Sequence, residues 1–133
     1  MSKSGKKLGK EALRLLGGKN IGHVATISKD GAPHVTPVWI DHEGDEYVLI
    51  NIANTRVKLS NMRRDPRVAL SIAAQDNPYN HITIFGRVVG VTEEGADAHI
   101  EKLAKKYTGK KFQGRVAGEK RVTVRILPLR IAA

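Results

Sequence analysis

Apolar residues recur at helical spacing in three segments of the chain. The first segment ends in two glycines, which favour a helix end, and its apolar face is formed by Leu8, Ala12, Leu15 and Leu16. The second segment predicts a short helix that buries Leu59 and Met62. Asn54 or Thr55 is its candidate N-cap, and Pro66 ends it. The third is closed by Gly109, and its apolar face consists of Ala96, Ile100, Leu103, Ala104 and Tyr107.

Segments rich in β-branched residues predict six strands, at residues 21–28, 34–41, 46–52, 67–75, 81–91 and around 122–126. Turn sequences at Gly31 and Gly44 join the first three strands, which predicts a three-stranded antiparallel meander. Pro33 and Pro37 lie in or beside the second strand, and proline cannot donate to a central ladder. We therefore expect that strand to be an edge strand or to be bulged near Pro37.

Gly86 and Gly90 lie within the fifth predicted strand, where they predict bends in a barrel wall. Antiparallel strands with this many bends favour a small closed or partly closed barrel over an open sheet. A length of 133 residues with 41% hydrophobic content suits one compact domain. The prediction is a mainly β protein with flanking helices, a six-stranded antiparallel barrel in a single domain spanning residues 1–133.

Composition removes several classes of function. Apolar runs are far shorter than the roughly 20 residues that cross a bilayer, and Arg14 interrupts the one nearest the N-terminus, so we expect no membrane contact and a cytoplasmic location. The absence of cysteine excludes disulfides, thiolate metal sites and cysteine nucleophiles. The five histidines have no metal-ligand spacing, and no GxSxG, Walker or GxGxxG motif occurs, so we predict no metal site and name no catalytic residue.

Charge is the strongest deviation from an average domain. Twenty-three Lys and Arg residues against thirteen Asp and Glu residues give a formal net charge of +10. Such a surface attracts nucleic acid, acidic membrane or a highly charged cofactor. Part of the excess, around residues 102–111, is equally well explained by solubility alone.

Arg56 and Lys58 occupy positions at which a helix disfavours positive charge. In the first turn of the predicted second helix, the positive end of the helix dipole disfavours cations. A bound phosphate would remove this conflict, because free backbone N–H groups, an Arg and a Lys would all face it. The alternative is that both side chains extend into solvent.

Three stretches resemble a known family: VATISKDGAPHVTPVW, LINIANTRVKLSNMRRDPRVAL and ITIFGRVVGV. They are similar to the pyridoxamine 5'-phosphate oxidase-like FMN-binding split-barrel superfamily, and most similar to its small branch that uses the deazaflavin coenzyme F420. The resemblance covers nearly the whole chain and implies a dimeric split β-barrel. It does not name a substrate.

The resemblance also implies roles for individual residues. The coenzyme phosphate would be held by Thr55, Arg56 and Lys58, and contacts along the coenzyme would come from Ile50 and Asn51. The strip facing the tricyclic ring would consist of Pro37, Val38 and Trp39, although Trp39 is equally well explained as a core aromatic. The second subunit of a homodimer would complete the ring pocket, and the candidate for that contribution is the predicted loop 77–80 with Tyr79.

The implied activity is hydride transfer between the coenzyme and a small organic acceptor, with the protein positioning both. Coenzyme F420 is favoured over FMN because its oligoglutamate tail adds negative charge that suits a +10 protein. An FMN-dependent oxidoreductase is the first alternative. A non-catalytic carrier of a cofactor such as haem and a basic nucleic-acid-binding barrel are the others, the last disfavoured by only 5% aromatic residues.

Overall fold

A computed structural model describes residues 5–133, which form three helices and seven strands. The helices are α1 (Lys10–Gly17), α2 (Val57–Arg64) and α3 (Ala96–Thr108). The strands are β1 (Gly22–Ile27), β2 (Pro33–Val38), β3 (Ile40–Glu43), β4 (Tyr47–Ala53), β5 (Arg67–Ala74), β6 (Asn77–Thr92) and β7 (Arg121–Ala132). None of the helices in this part of the chain is both long and apolar enough to cross a membrane.

All seven strands belong to one antiparallel sheet in the order β2-β1-β5-β6-β7-β4-β3. The two outermost strands are consecutive in the chain, with only Trp39 between them. Two peptide units span at most about 7 Å, so the two edges of the sheet must approach each other at this residue. The sheet is therefore curled into a half-barrel.

The structure corrects the predicted strand count and the predicted meander. The segment expected to form one strand at 34–41 forms two, because the chain turns a corner at Trp39. The strand β2 pairs with β1, whereas β3 pairs with β4, so the first three predicted strands do not lie side by side. Val38 and Ile40 are both buried, so the alternating pattern continues through the corner and conceals it. The expectation of an edge strand carrying Pro37 is confirmed, since β2 is at the edge of the sheet.

The core lies inside the curl of the sheet. Inward-facing side chains of the strands are fully buried with Leu15 and Leu16 of α1, and they include Val24, Ile50, Leu70, Ile72, Ile84 and Ile126. A Cβ on Gly86 would lie 2.7 Å from the carbonyl oxygen of Leu127, so only glycine permits this approach of β6 to β7. The β6–β7 register shifts at Gly86 and again at Gly90, which confirms both predicted bends.

The helices agree with expectation except at the start of α2. The helix begins at Val57 with Arg56 as its N-cap residue, and no side chain caps it. The prediction that Asn54 or Thr55 caps this helix is therefore wrong. The Asn54 side chain instead accepts a hydrogen bond from the Lys120 N–H, and the Thr55 hydroxyl donates to Glu119. Both side chains connect the start of α2 to the loop at 110–120.

The segment 77–80, expected to be a loop, is the beginning of the sixteen-residue strand β6. Its pairing with β5 is irregular, because Ala73 pairs with His81 while Ala74 pairs with Asn77. Three residues of β6 thus lie between these pairs, and Tyr79 among them is 92% exposed. The predicted loop at 77–80 is therefore wrong, and the structure contains a bulge in β6 instead.

Candidate functional site

A cleft of about 650 Å³ lies beside the corner at Trp39. Strand β2 and the end of β4 form part of its wall, and the start of α2, α3 and the loop at 110–120 form the rest. Six of the nine residues predicted to hold a coenzyme line it: Pro37, Val38, Trp39, Asn51, Arg56 and Lys58. Residues that lie far apart in the sequence are thus assembled around one cavity.

Three cations converge on this cleft: Arg56, Lys58 and Arg121. Burial lowers the pKa of Lys58, and the charges of Arg56 and Arg121 lower it further. Burial also lowers the pKa of Arg121, with the charge of Arg56 as the next cause. Within residues 5–133 none of the three forms a salt bridge. The cleft therefore concentrates positive charge that the protein itself does not neutralise, which favours an anionic ligand.

Lys58 lies in the first turn of α2, where its own N–H and that of Val57 have no acceptor among the described residues, whereas the Leu59 N–H donates to the Arg56 carbonyl oxygen. Its Nζ donates a hydrogen bond of 2.8 Å to the hydroxyl of Thr36 on β2. This contact directs the half-buried ammonium group across the cleft instead of into solvent. The backbone donors and the ammonium group together make this end of the cleft suitable for a phosphate.

Arg121, at the start of β7, was not predicted. Its Nε donates to Oδ1 of Asn51 at 2.9 Å, its Nη2 donates to the carbonyl oxygen of Asn51 at 3.2 Å, and its guanidinium lies 5.0 Å from the centre of the Phe112 ring. Among the described residues Nη1 has no acceptor, so part of the guanidinium is free to bind a ligand. No local signal identifies Arg121, since its place in the cleft depends on the pairing of Ala53 in β4 with Arg121 in β7.

His34 is a second residue that the sequence did not single out. It lines the cleft from β2, and its Nδ1 is buried without a hydrogen-bond partner. A buried polar atom without a partner is costly unless a ligand or water supplies one. The residues present therefore fit a polar, anionic ligand at more than one point.

Trp39 lines the cleft and also packs against other aromatic residues. Its ring stacks on Tyr107 with centroids 5.2 Å apart and planes 6° apart. The Phe112 ring is nearly perpendicular to it, with centroids 6.2 Å apart. The Tyr107 hydroxyl in turn donates to the Asn20 carbonyl oxygen and accepts from the Ile40 N–H. The tryptophan is thus a member of an aromatic cluster and also part of the cleft wall, where a flat ligand would find a rigid apolar surface.

A family model described as pyridoxamine 5'-phosphate oxidase matches residues 8–131. The chain belongs to this family. The family resemblance in the sequence is thereby confirmed.

Among solved structures, an F420 reductase is 28% identical to this chain with a TM-score of 0.80. The match covers 90% of this chain and 94% of the reductase chain. A conserved hypothetical protein from Mycobacterium tuberculosis is 26% identical with a TM-score of 0.72, covering 98% of this chain and 88% of the other. An FMN-binding protein from Syntrophomonas wolfei has a TM-score of 0.68 at 12% identity, covering 92% of this chain and 82% of the other. The last match shows the fold alone.

Three of the nine residues predicted to hold a coenzyme lie outside the cleft of this protein. Ile50 is fully buried in the core between Ile40 and Val124. Thr55 is exposed, with its hydroxyl directed to Glu119, and Tyr79 is on the exposed bulge of β6. In a single chain, the structure brings none of these three side chains to the cavity wall.

Proposed function

We propose that this protein is an oxidoreductase that uses coenzyme F420 for hydride transfer to a small organic acceptor. The observation that carries the proposal is the group of three unneutralised cations, Arg56, Lys58 and Arg121, at the wall of one cleft. When bound, the coenzyme would supply the hydride chemistry at its central ring. The protein would supply binding, orientation and exclusion of water.

The coenzyme phosphate is assigned to the start of α2. There Arg56 and Lys58 would bind it together with the backbone N–H groups of the first turn. The ring system is assigned to Pro37, Val38 and Trp39, whose wall is apolar and braced by the Trp39–Tyr107 stack. Arg121 would add a third positive charge from β7. No proton-donating side chain is assigned, because the hydride acceptor is not identified.

Two observations favour F420 over FMN. The F420 reductase is 28% identical to this chain over 90% of its length, whereas the FMN-binding protein is only 12% identical. The formal charge of +10 also suits a coenzyme with carboxylates in addition to its phosphate. An FMN-dependent oxidoreductase of the same fold is the alternative.

We also propose a cytoplasmic homodimer in which the second subunit completes the ring pocket. The rim of the cleft carries Ile21 and Val57, which are 43% and 61% exposed in the single chain, and Val35 nearby on β2 is 58% exposed. Large apolar side chains at a cleft rim favour burial against another chain. Tyr79 on the bulge of β6 is the residue proposed to reach the partner's cleft. Light scattering at micromolar concentration should give twice 14.6 kDa, and a monomer would contradict this part of the proposal.

An absorption spectrum tests the coenzyme assignment. Purified apoprotein is mixed separately with F420, FMN and haem, desalted, and scanned. A retained deazaflavin band with weaker retention of FMN supports the proposal, and retention of FMN alone would move the assignment to the FMN-dependent alternative. A Soret band alone would favour a haem carrier.

The nucleic-acid alternative is separated by salt dependence. Binding through many phosphates falls by orders of magnitude between about 50 and 200 mM salt, whereas a single coenzyme phosphate gives a shallow slope. A steep log–log slope for DNA, with no coenzyme retained at any salt concentration, would replace the oxidoreductase proposal with a nucleic-acid-binding function.

A further inference from the structure

A buried polar network lies behind the cleft and is not used by the proposed coenzyme contacts. His99 of α3 and Asp41 of β3 are joined through Nε2 and Oδ2 at 3.1 Å, and each side chain is only 11% exposed. Burial opposes ionisation of Asp41. Hydrogen bonds from His99, the His42 N–H and Lys102 nevertheless hold the pKa of this carboxyl well below its usual range. The carboxylate therefore presents a permanent acceptor to His99 Nε2.

The amide of Asn51 connects this network to the cleft, and its neighbours determine its orientation. Its Nδ2 donates to the carbonyl oxygen of Ala96 at 2.8 Å, and its Oδ1 accepts from Arg121 Nε at 2.9 Å. A carbonyl oxygen can only accept and a guanidinium can only donate, so the amide cannot be turned around without losing both hydrogen bonds. Nδ2 must therefore face the side on which His99 lies.

The tautomer of His99 follows from this orientation. Asn51 Nδ2 lies 3.3 Å from His99 Nδ1, and the Thr123 hydroxyl lies 3.4 Å from the same nitrogen. Both neighbours can donate to Nδ1, and Asp41 accepts at Nε2. In this arrangement His99 donates from Nε2 to Asp41 and accepts at Nδ1.

We infer that His99 is a positioning residue for Arg121, acting through Asn51. The acceptor at Nδ1 adds a second partner for Nδ2 beside the Ala96 carbonyl oxygen, and so strengthens the orientation in which the Asn51 oxygen faces Arg121 Nε. Asn51 then holds one edge of the guanidinium by two hydrogen bonds, and Phe112 covers its face. Nη1 is left for an anion in the cleft. The inference rests on the proposed function only in taking that anion to be the coenzyme phosphate.

Two substitutions at His99 separate this role from a structural one. His99→Asn places an amide oxygen near the position of Nδ1 and so can retain the acceptor for Asn51, but it is too short to retain the contact with Asp41. His99→Gln reaches Asp41 with its amide nitrogen and leaves no acceptor at the Nδ1 position. A purely structural role predicts similar losses from both variants, whereas the positioning role predicts that only His99→Gln affects the anion.

The probe is inorganic pyrophosphate, titrated into the full-length apoprotein by calorimetry, with F420 titrated in parallel. We expect His99→Gln to raise the pyrophosphate Kd about fivefold, the scale of one misdirected charged hydrogen bond, and His99→Asn to remain within about twofold of wild type. In an Arg121→Ala background neither His99 variant should change the Kd further, because the residue through which His99 acts is gone.

Several results would overturn the inference: equal losses in the two variants, no loss in His99→Gln, a loss that persists in the Arg121→Ala background, or a wild-type protein with no affinity for pyrophosphate. A nitrogen–proton correlation spectrum of wild-type protein tests it without any variant, and a proton on Nδ1 of His99 would contradict it. If pyrophosphate follows the expected pattern while F420 does not bind, the proposed coenzyme is wrong and the positioning role of His99 stands.

Discussion

Two arginines on the same strand, four residues apart, have opposite electrostatic surroundings. Arg125 of β7 forms a double hydrogen bond with Glu43 at 2.9 and 3.0 Å, which raises its pKa. Arg121 faces the cleft with Arg56 and Lys58 nearby, and burial followed by the charge of Arg56 lowers its pKa. Net charge alone does not distinguish the two. The difference teaches that the surroundings of each cation, and not the net charge, separate a cation that is paired within the fold from a half-buried one that forms no salt bridge among the described residues.

Arg125 is one of several cations that contact carboxylates, and these ion pairs together form what we call the paired region. Arg115 contacts both Asp97 and Glu101, and Lys102 contacts Asp41. These contacts hold α3 and the loop at 110–120 against the sheet, so their charges serve the fold. The cleft cations form no salt bridge among the described residues, and the charge of Arg56 lowers the pKa of both Lys58 and Arg121, although Glu119 and Asp97 offset part of the effect on Arg121. An anionic ligand would relieve this repulsion.

Removal of the cleft cations should have the largest effect. We expect Arg56→Ala, Lys58→Ala and Arg121→Ala each to weaken coenzyme binding by about 1.5 to 3 kcal/mol, or roughly ten- to a hundredfold, the scale of a charge-assisted hydrogen bond. The apoprotein should not be destabilised by Arg56→Ala or Lys58→Ala, because a cation at a helix N-terminus is unfavourable. Fluorescence titration and urea unfolding of each variant measure the two quantities.

The matched controls are Arg125→Ala on the same strand and Arg63→Ala in the last turn of α2. Neither should change coenzyme affinity, and each should change the free energy of unfolding by less than about 1 kcal/mol, as exposed charges do. If Arg56→Ala and Lys58→Ala destabilise the apoprotein and leave the coenzyme Kd unchanged, the phosphate site lies elsewhere.

A carboxylate introduced into the cleft should give the cations Arg56, Lys58 and Arg121 an ion-pair partner within the protein. Val57 lines the cleft at the first position of α2 and is 61% exposed, so Val57→Glu needs no space in the core. We expect about 0.5 kcal/mol of added stability of the single subunit from the helix dipole and the neighbouring cations, with the dimer content checked by light scattering because Val57 also lies on the proposed dimer surface. Coenzyme affinity should fall by roughly tenfold or more, since the introduced carboxylate competes with the phosphate.

Val57→Gln is the control for Val57→Glu, because it has the same shape without the charge. The glutamine variant should bind the coenzyme with nearly wild-type affinity. If both variants weaken binding equally, position 57 acts through its volume, and the electrostatic comparison between the two regions fails.

Acid should destabilise the paired region selectively, without acting on the cleft cations. The folded-state pKa of Asp41 lies below its unfolded value, so its ionised form contributes stability that is fully present above the unfolded pKa of about 3.9. This contribution is lost as the pH falls toward the folded pKa. Asp41→Asn should therefore show a flatter decline in unfolding free energy between pH 5 and pH 2.5 in urea titrations, even though it is less stable at pH 7.

The control is Glu94→Gln, which removes an exposed carboxylate that forms no ion pair among the described residues. Its decline in stability with acid should follow that of wild type. Parallel curves for Asp41→Asn and wild type would mean that the Asp41 network does not stabilise the fold.

Residues that are close together in the sequence were sufficient to predict the parts of the candidate site at the start of α2 and on β2. The conflict between the dipole of α2 and the cations at Arg56 and Lys58 is contained in a few consecutive residues, and so is the proline evidence for an edge strand at β2. Periodicity predicted α1 and α3, because each helix buries one face against the sheet whatever the topology. Family resemblance, which depends on the order of motifs, added Asn51 and the strip from Pro37 to Trp39.

Only the tertiary structure decided the rest, because it depends on the pairing of distant strands. The alternation of Val38 and Ile40 is the same for one long strand as for two strands joined at a corner, so only the curled sheet shows that Trp39 is the corner. Arg121 reaches the cleft because β4 pairs with β7, seventy residues from Asn51, to which it is bonded. The sequence by itself determined that Arg56 and Lys58 lie at the start of α2, where the anion is proposed to bind, and the register of the sheet determined which other side chains surround them.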